Sequence, residues 1–223
     1  MIVDSHTGVT LAGAAPFSAR LLARALALAP ALVAADGGAD RLLRHRAEPK
    51  AVIGDLDSLS APARVRLAGR LHAIPEQETT DFDKALRSIN APFVLGIGFS
   101  GARIDHGLAV LNALARHPDR RCFILSADDV CFLVPEALTL YLRPGTRVSL
   151  FPLGPVRGTS EGLHWPIDGI DFAPGGAIGT SNVASAPLVR LSFDAPRMLA
   201  VLPIRSLEEV LRGFGLRPAA PAR

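Results

Sequence analysis

Lysine is nearly absent from this chain: Lys50 and Lys84 are the only two among 24 basic residues, the others being arginine. Arginine therefore supplies general charge, and each lysine is worth inspecting for a particular task. Cysteine is scarce as well. Cys122 and Cys131 both sit among apolar neighbours and read as buried free thiols of a reducing compartment rather than as a disulfide. With no further Cys or His at ligand spacing, a structural zinc site is excluded. No apolar run approaches the length of a membrane span, and the N-terminus lacks a charged-then-apolar signal pattern, so a cytoplasmic protein is expected. Basic runs interleaved with aromatics are missing too, which argues against a nucleic-acid partner. One catalytic signature is also absent: there is no G-x-x-x-x-G-K-[ST], which disfavours a P-loop NTPase. Letter matches to G-x-G-x-x-G, at Gly96-Ile97-Gly98-Phe99-Ser100-Gly101, and to G-x-S-x-G, at Gly158-Thr159-Ser160-Glu161-Gly162, do occur, and alone they carry no assignment.

What is present is a globular composition, 49% apolar over 223 residues with a net charge of +3. Short apolar runs ending in glycine or acid alternate with helical periodicity through the first 130 or so residues. Examples are Val9–Gly13, the Ser18–Leu28 helix, Ala31–Ala35 and a basic helix from Arg41 to Arg46. Further runs follow at Ala51–Gly54, Phe93–Gly98, Cys122–Ser126 and Val130–Val134. This alternation predicts an α/β fold with a doubly wound, mostly parallel sheet over residues 1–142. From about Leu138 the pattern changes to short strands cut by Pro-Gly and Gly-Gly turns. A C-terminal antiparallel β-sandwich-like domain over 143–223 is expected, ending in a short helix after Arg205 and a frayed Pro/Ala tail.

The stretch Gly54-Asp55-Leu56-Asp57-Ser58 presents two carboxylates one residue apart beyond a buried strand. If the chain there is extended, alternation aims both side chains the same way. Such a pair calls for a cation, and Mg²⁺ carrying phosphates is the natural one. A polar turn whose aspartates cap backbone amides is the competing reading. Asp36, Asp55 with Asp57, Asp81 and Asp105 all fall at strand ends, where ligands bind in parallel α/β sheets. Thr79 or Thr80 makes an N-cap for a helix beginning near Asp81, and its N-terminus favours an anion. Lys84, three residues on, shares a helix face with Asp81. This is equipment for phosphoryl-type transfer.

Four ordered segments resemble the successive motifs of thiamine pyrophosphokinases. They are Asp36-Gly37-Gly38-Ala39-Asp40-Arg41-Leu42, Gly54 to Ser58, Gln77-Glu78-Thr79-Thr80-Asp81-Phe82-Asp83-Lys84-Ala85-Leu86, and Gly101-Ala102-Arg103-Ile104-Asp105-His106. The resemblance extends over about residues 9 to 203 and includes Trp165 and Thr180-Ser181-Asn182 in the β-rich part. It implies an ATP-dependent transferase, a kinase of thiamine diphosphate biosynthesis, that moves diphosphate from Mg·ATP to the thiamine hydroxyl. By the same resemblance Asp55, Asp57 and Asp81 hold Mg²⁺. Asp36, Gly37, Gln77, Thr80 and Arg103 line the ATP cleft, Lys84 contacts phosphate and Asp105 sits near the reacting hydroxyl. Thiamine would stack on Trp165 and meet Ser181 and Asn182, in a homodimer with its sites at the subunit interface. Trp165 as β-domain core is the other reading of that residue. Two departures stand out: Asp40 replaces the family's usual Asn, and Gly101-Ala102 replaces a common glycine pair. The alternatives are the same chemistry on another alcohol, such as a hydroxymethyl-pterin, or a non-catalytic thiamine- or nucleotide-binding module.

Overall fold

The computed structural model describes residues 1–216, and the expected Pro/Ala tail lies outside them. Contacts divide the described residues into two compact units, Met1–Ala113 with Arg120–Ala127, and Leu114–Asp119 with 128–216.

In chain order the first unit begins with β1 (Val3–Asp4), β2 (Val9–Ala12), α1 (Ala19–Leu28), β3 (Ala31–Ala35) and α2 (Gly38–Arg44). It continues through β4 (Ala51–Gly54), α3 (Ala61–Arg66), β5 (Leu71–Ala73), α4 (Asp81–Ser88) and β6 (Ile89–Asn90), then β7 (Val94–Ile97), α5 (Ile104–Arg116) and β8 (Cys122–Leu125). Six strands run parallel in the order β8-β7-β2-β3-β4-β5. Strands β2, β4, β7 and β8 are buried along their whole length, as a sheet covered on both faces requires, which is why they read as unbroken apolar runs. The helices supply the cover through small apolar stripes. In α1, Leu21, Leu22, Ala25 and Leu28 are buried, Ser18 caps the N-terminus by accepting from Leu21 N at 3.1 Å, and Thr10 Oγ1 donates to the Ala29 carbonyl at 2.7 Å.

Two local expectations are revised and one strand pair is added. Helix α2 starts at Gly38, three residues earlier than the basic run at Arg41 indicates, because Gly38 packs where a Cβ would lie 2.1 Å from the Ala12 carbonyl oxygen. Only glycine permits that approach. The pair β1 and β6 was not legible: two residues each, joined in parallel with Val3 opposite Ile89. The Val130–Val134 run, grouped by its pattern with the parallel strands, instead pairs antiparallel with a late strand, as follows.

The second unit holds β9 (Asp129–Leu133), β10 (Ala137–Tyr141), β11 (Arg147–Pro152), β12 (Gly158–Glu161), β13 (Gly179–Val183), β14 (Leu188–Phe193), β15 (Met198–Pro203) and α6 (Leu207–Gly213). Its pairings are antiparallel, in the orders β13-β11-β15-β9 and β10-β14-β12. Alternation is clear in β10 and β14, where Leu138, Leu140, Val189, Leu191 and Phe193 are buried and the residues between them face out. Helix α6 lies against β10 and buries Leu207, Val210 and Leu211. Among the described residues no helix is long and apolar enough to cross a membrane.

Candidate functional site

In the first unit, β3 delivers Asp36 and β4 delivers Asp55 and Asp57. One carboxylate oxygen from each of the three can be chosen so that all lie within 4.8 Å of one another. The two aspartates of the second motif do not meet by strand alternation, which corrects that expectation. Leu56 between them is in the left-handed region at φ +67°, and the chain turns instead of extending. A non-glycine residue costs about 1 kcal/mol or more there. The turn is held from three sides. Asp57 N donates to Asp55 Oδ1 at 3.2 Å, the buried Leu56 side chain anchors the loop, and Arg64 from α3 donates to the Leu56 carbonyl and, at 3.3 Å, to that of Leu59. The capping reading and the cation reading thus describe the same residues: the turn exists, and it assembles the acids.

Asp81 arrives as the first residue of α4, with Thr80 as N-cap accepting from Asp83 N at 3.4 Å. Its Oδ1 accepts from Asp55 N at 3.2 Å and from Lys84 Nζ at 3.3 Å. Gly54 makes this convergence possible, since a Cβ there would lie 2.8 Å from Asp81 Oδ1 and 2.9 Å from Asp36 Cβ. Lys84 is 1% exposed and also donates to Asp55 Oδ2 at 3.0 Å. Gln77 Nε2 donates to that same oxygen at 3.3 Å.

The electrostatics sort the acids. Burial pushes the Asp36 carboxyl above its ordinary range, and the nearby Asp81 charge adds to the effect. Its Oδ2 accepts from Ser58 N at 3.2 Å, but its buried Oδ1 has no hydrogen-bond partner. Burial also works against ionising Asp55, yet the hydrogen bond from Lys84, with help from Asp57 N and Gln77, outweighs it and leaves that carboxyl below its usual range. Lys84 shows the converse balance, with desolvation outweighed by its two carboxylate partners, so its ammonium is held above the ordinary value. A buried, partnerless carboxylate oxygen beside two further carboxylates suits a hard divalent cation. The donor set fits Mg²⁺.

Other expected residues sit differently. Gly37 occupies the N-cap position of α2 at the end of β3. Asp40 accepts from both N and Oγ of Ser60, the cap of α3, so its extra charge is engaged in fixing that helix. Asp105 stands exposed in the first turn of α5 and does not join the cluster. Arg103 binds it through Nε at 3.1 Å and Nη2 at 2.5 Å, and those bonds hold its carboxyl down at about 2.

In the second unit Trp165 is 56% exposed, which removes it from the core. The buried Asn182 of β13 holds it: Nδ2 donates to the Trp165 carbonyl at 2.7 Å, and Oδ1 accepts from Trp165 N at 3.2 Å and Val183 N at 2.8 Å. His164 meets the indole edge-on at 4.4 Å between ring centres. Ser181, at φ +65°, donates its N–H to Ser149 Oγ at 3.0 Å where the β11–β13 register shifts. Residue identity alone left several supports unnoticed. Ser58 engages both Asp36 and Asp57, Ser149 holds the bulge, and Glu76 gathers Glu78 N, Thr79 and Arg87 to shape the loop carrying Gln77. Of these, only the capping pattern around Ser58 had a sequence signal.

Comparison with known proteins finds one family over both parts of the chain. A family model described as thiamin pyrophosphokinase, catalytic domain, matches residues 22–124, and one described as thiamin pyrophosphokinase, vitamin B1 binding domain, matches 137–198. Thiamine pyrophosphokinase 1 of Oryza sativa subsp. japonica is 28% identical over 201 residues, 73% of this chain and 75% of that protein. Thiamine pyrophosphokinase 1 of Arabidopsis thaliana is 28% identical over 196 residues, 72% and 73% of the two chains. In fold the chain is similar to thiamin pyrophosphokinase from Candida albicans, with a TM-score of 0.75 at 15% identity over 90% of this chain and 93% of that one. The yeast enzyme gives 0.74 at 17% identity over 93% and 89%. Both family models together span most of the sequence, and the chain belongs to the thiamin pyrophosphokinase family.

Proposed function

We propose that this protein transfers diphosphate from ATP to the hydroxyl of thiamine, giving thiamine diphosphate and AMP. The observation that carries the reading is the cluster of Asp36, Asp55 and Asp57 with its partnerless buried oxygen, in a chain matched by both the catalytic and the vitamin B1 binding domain of one family. In this reading Asp55 and Asp57, with Asp36 and Asp81 beside them, would hold Mg²⁺, which neutralises phosphate charge during transfer. Gln77 orients Asp55, Thr80 fixes the start of α4, and Gly37 and Arg103 belong to the nucleotide side of the site. Asp105, held by its bonds from Arg103, acts at the acceptor hydroxyl by position and charge.

We further propose a division of labour, with residues 1–142 binding ATP and metal and 143–223 binding thiamine. Trp165 offers an aromatic face to the cationic thiazolium, and its exposure supports that use over a packing role. Asn182 positions the tryptophan by its backbone, while Ser181 supplies a polar contact. A homodimer, in which a second subunit contributes to each site, completes the reading; light scattering on the purified protein tests it.

The match to a vitamin B1 binding domain favours thiamine over a hydroxymethyl-pterin, and the retention of Asp55, Asp57 and Asp81 favours an enzyme over a binding module. Incubation with ATP and Mg²⁺ should release AMP when thiamine is supplied. Release with a pterin alcohol but none with thiamine would reassign the acceptor.

A further inference from the structure

Lys84 does not lie where a phosphate-contacting lysine should. Its side chain is 1% exposed, and its ammonium donates to two carboxylates, 3.0 Å from Asp55 Oδ2 and 3.3 Å from Asp81 Oδ1. Those two oxygens are the ones also gripped by the Gln77 amide and by Asp55 N. The partnerless oxygen of the group, Asp36 Oδ1, is not among Lys84's partners. The lysine thus neutralises and fixes one part of a four-acid group and leaves the rest for a cation from solution. An isolated ammonium cannot stay charged at such depth without compensation, and here the compensation is the two carboxylates.

We propose that Lys84 is a positioning residue, a resident counter-cation that keeps Asp55 and Asp81 in place before metal and nucleotide arrive, and not a ligand of the ATP phosphates. The inference rests on the magnesium reading given above and departs from the phosphate contact that family resemblance implies. Its consequence is a competition: the charge Lys84 supplies is charge that Mg²⁺ need not supply. Wild-type protein should therefore gain little from Mg²⁺, and a protein without the ammonium should gain much.

Lys84→Met tests this in thermal unfolding, in EDTA and in saturating Mg²⁺, with neither ATP nor thiamine present. The expected result is a lower Tm in EDTA and a Mg²⁺-dependent rise about twice that of wild type or more, as linkage requires for a site with higher metal affinity. ATP affinity at saturating Mg²⁺ should be close to that of the wild type, because the metal replaces the lost charge. An equal Mg²⁺-dependent rise in the two proteins, combined with weakened ATP binding at saturating Mg²⁺, overturns the proposal in favour of phosphate contact. If the single variant does not fold, Lys84→Met combined with Asp81→Asn decides, because removing one of the two anions that Lys84 neutralises should restore a cooperative transition. Failure of the double variant to recover overturns the proposal. Indifference to Mg²⁺ in both the wild type and Lys84→Met defeats the magnesium reading instead, and recovery in the metal-free double variant then alone judges Lys84.

Discussion

Replacing Asn182 by Ala should couple a loss of stability to a loss of thiamine recognition, whereas Trp165→Ala should lose recognition alone. The amide is 4% exposed and makes three hydrogen bonds, to the Trp165 carbonyl, Trp165 N and Val183 N, at 2.7, 3.2 and 2.8 Å. Each is worth about 1 kcal/mol net, and a group left buried without a partner costs more. Because Trp165 stands largely in solvent, its freed N–H and carbonyl can be rehydrated, so we expect a total loss of about 2–3 kcal/mol in urea unfolding. Function should fall through the tryptophan. With its backbone released, the indole no longer presents a fixed face, and loss of a cation–π contact of about 1–2 kcal/mol raises the thiamine KM roughly tenfold. The ATP KM should not move. Trp165→Ala, by contrast, should raise the thiamine KM similarly with little effect on stability, since an exposed ring contributes little burial. In the double variant the two KM effects should not add, because Asn182 acts through Trp165. Additive effects, or an unchanged thiamine KM in Asn182→Ala, would refute the reasoning.

Three further outcomes are expected. Gly54→Ala drives a Cβ to within 2.8 Å of Asp81 Oδ1 and 2.9 Å of Asp36 Cβ; overpacking of about 1–3 kcal/mol should appear in denaturation together with a large loss of turnover, and near-normal turnover would contradict the geometry. Asp57→Asn keeps shape but removes an exposed charge proposed to hold Mg²⁺, so turnover should fall by about 100-fold or more while the melting temperature holds. The Asp105 carboxyl, lowered to about 2 by Arg103, stays ionised above that pH and protonates only as pH falls through it; the acidic limb of the kcat/KM profile near pH 4 or above should therefore be identical in wild type and Asp105→Asn, and loss of that limb would restore Asp105 as the titrating base.

Much of the fold was legible because its strands are buried on both faces and so appear as apolar runs, each closed by a glycine or an acid. The acids at the ends of β3 and β4 carried the site for the same reason. What the residues conceal is how they are brought together. Alternation suggested an extended Asp55–Asp57 pair, whereas left-handed Leu56 and the Arg64 clamp make it a turn. Helical spacing put Lys84 and Asp81 on one face, but no local pattern says whether that face looks outward or inward, and burial among Asp55 and Asp81 settles it inward. Trp165 likewise had two readings that only its exposure distinguishes. The antiparallel partner of β9 lies some seventy residues downstream in β15, a pairing that a short apolar run cannot announce.

What leaves ATP separates diphosphate transfer from transfer of a single phosphate. Incubation of the protein with thiamine, Mg²⁺ and ATP labelled at the β-phosphorus should place the label in thiamine diphosphate, with one unlabelled AMP released for each molecule formed. Label retained in ADP, with thiamine carrying a single phosphate or none, would contradict diphosphate transfer directly.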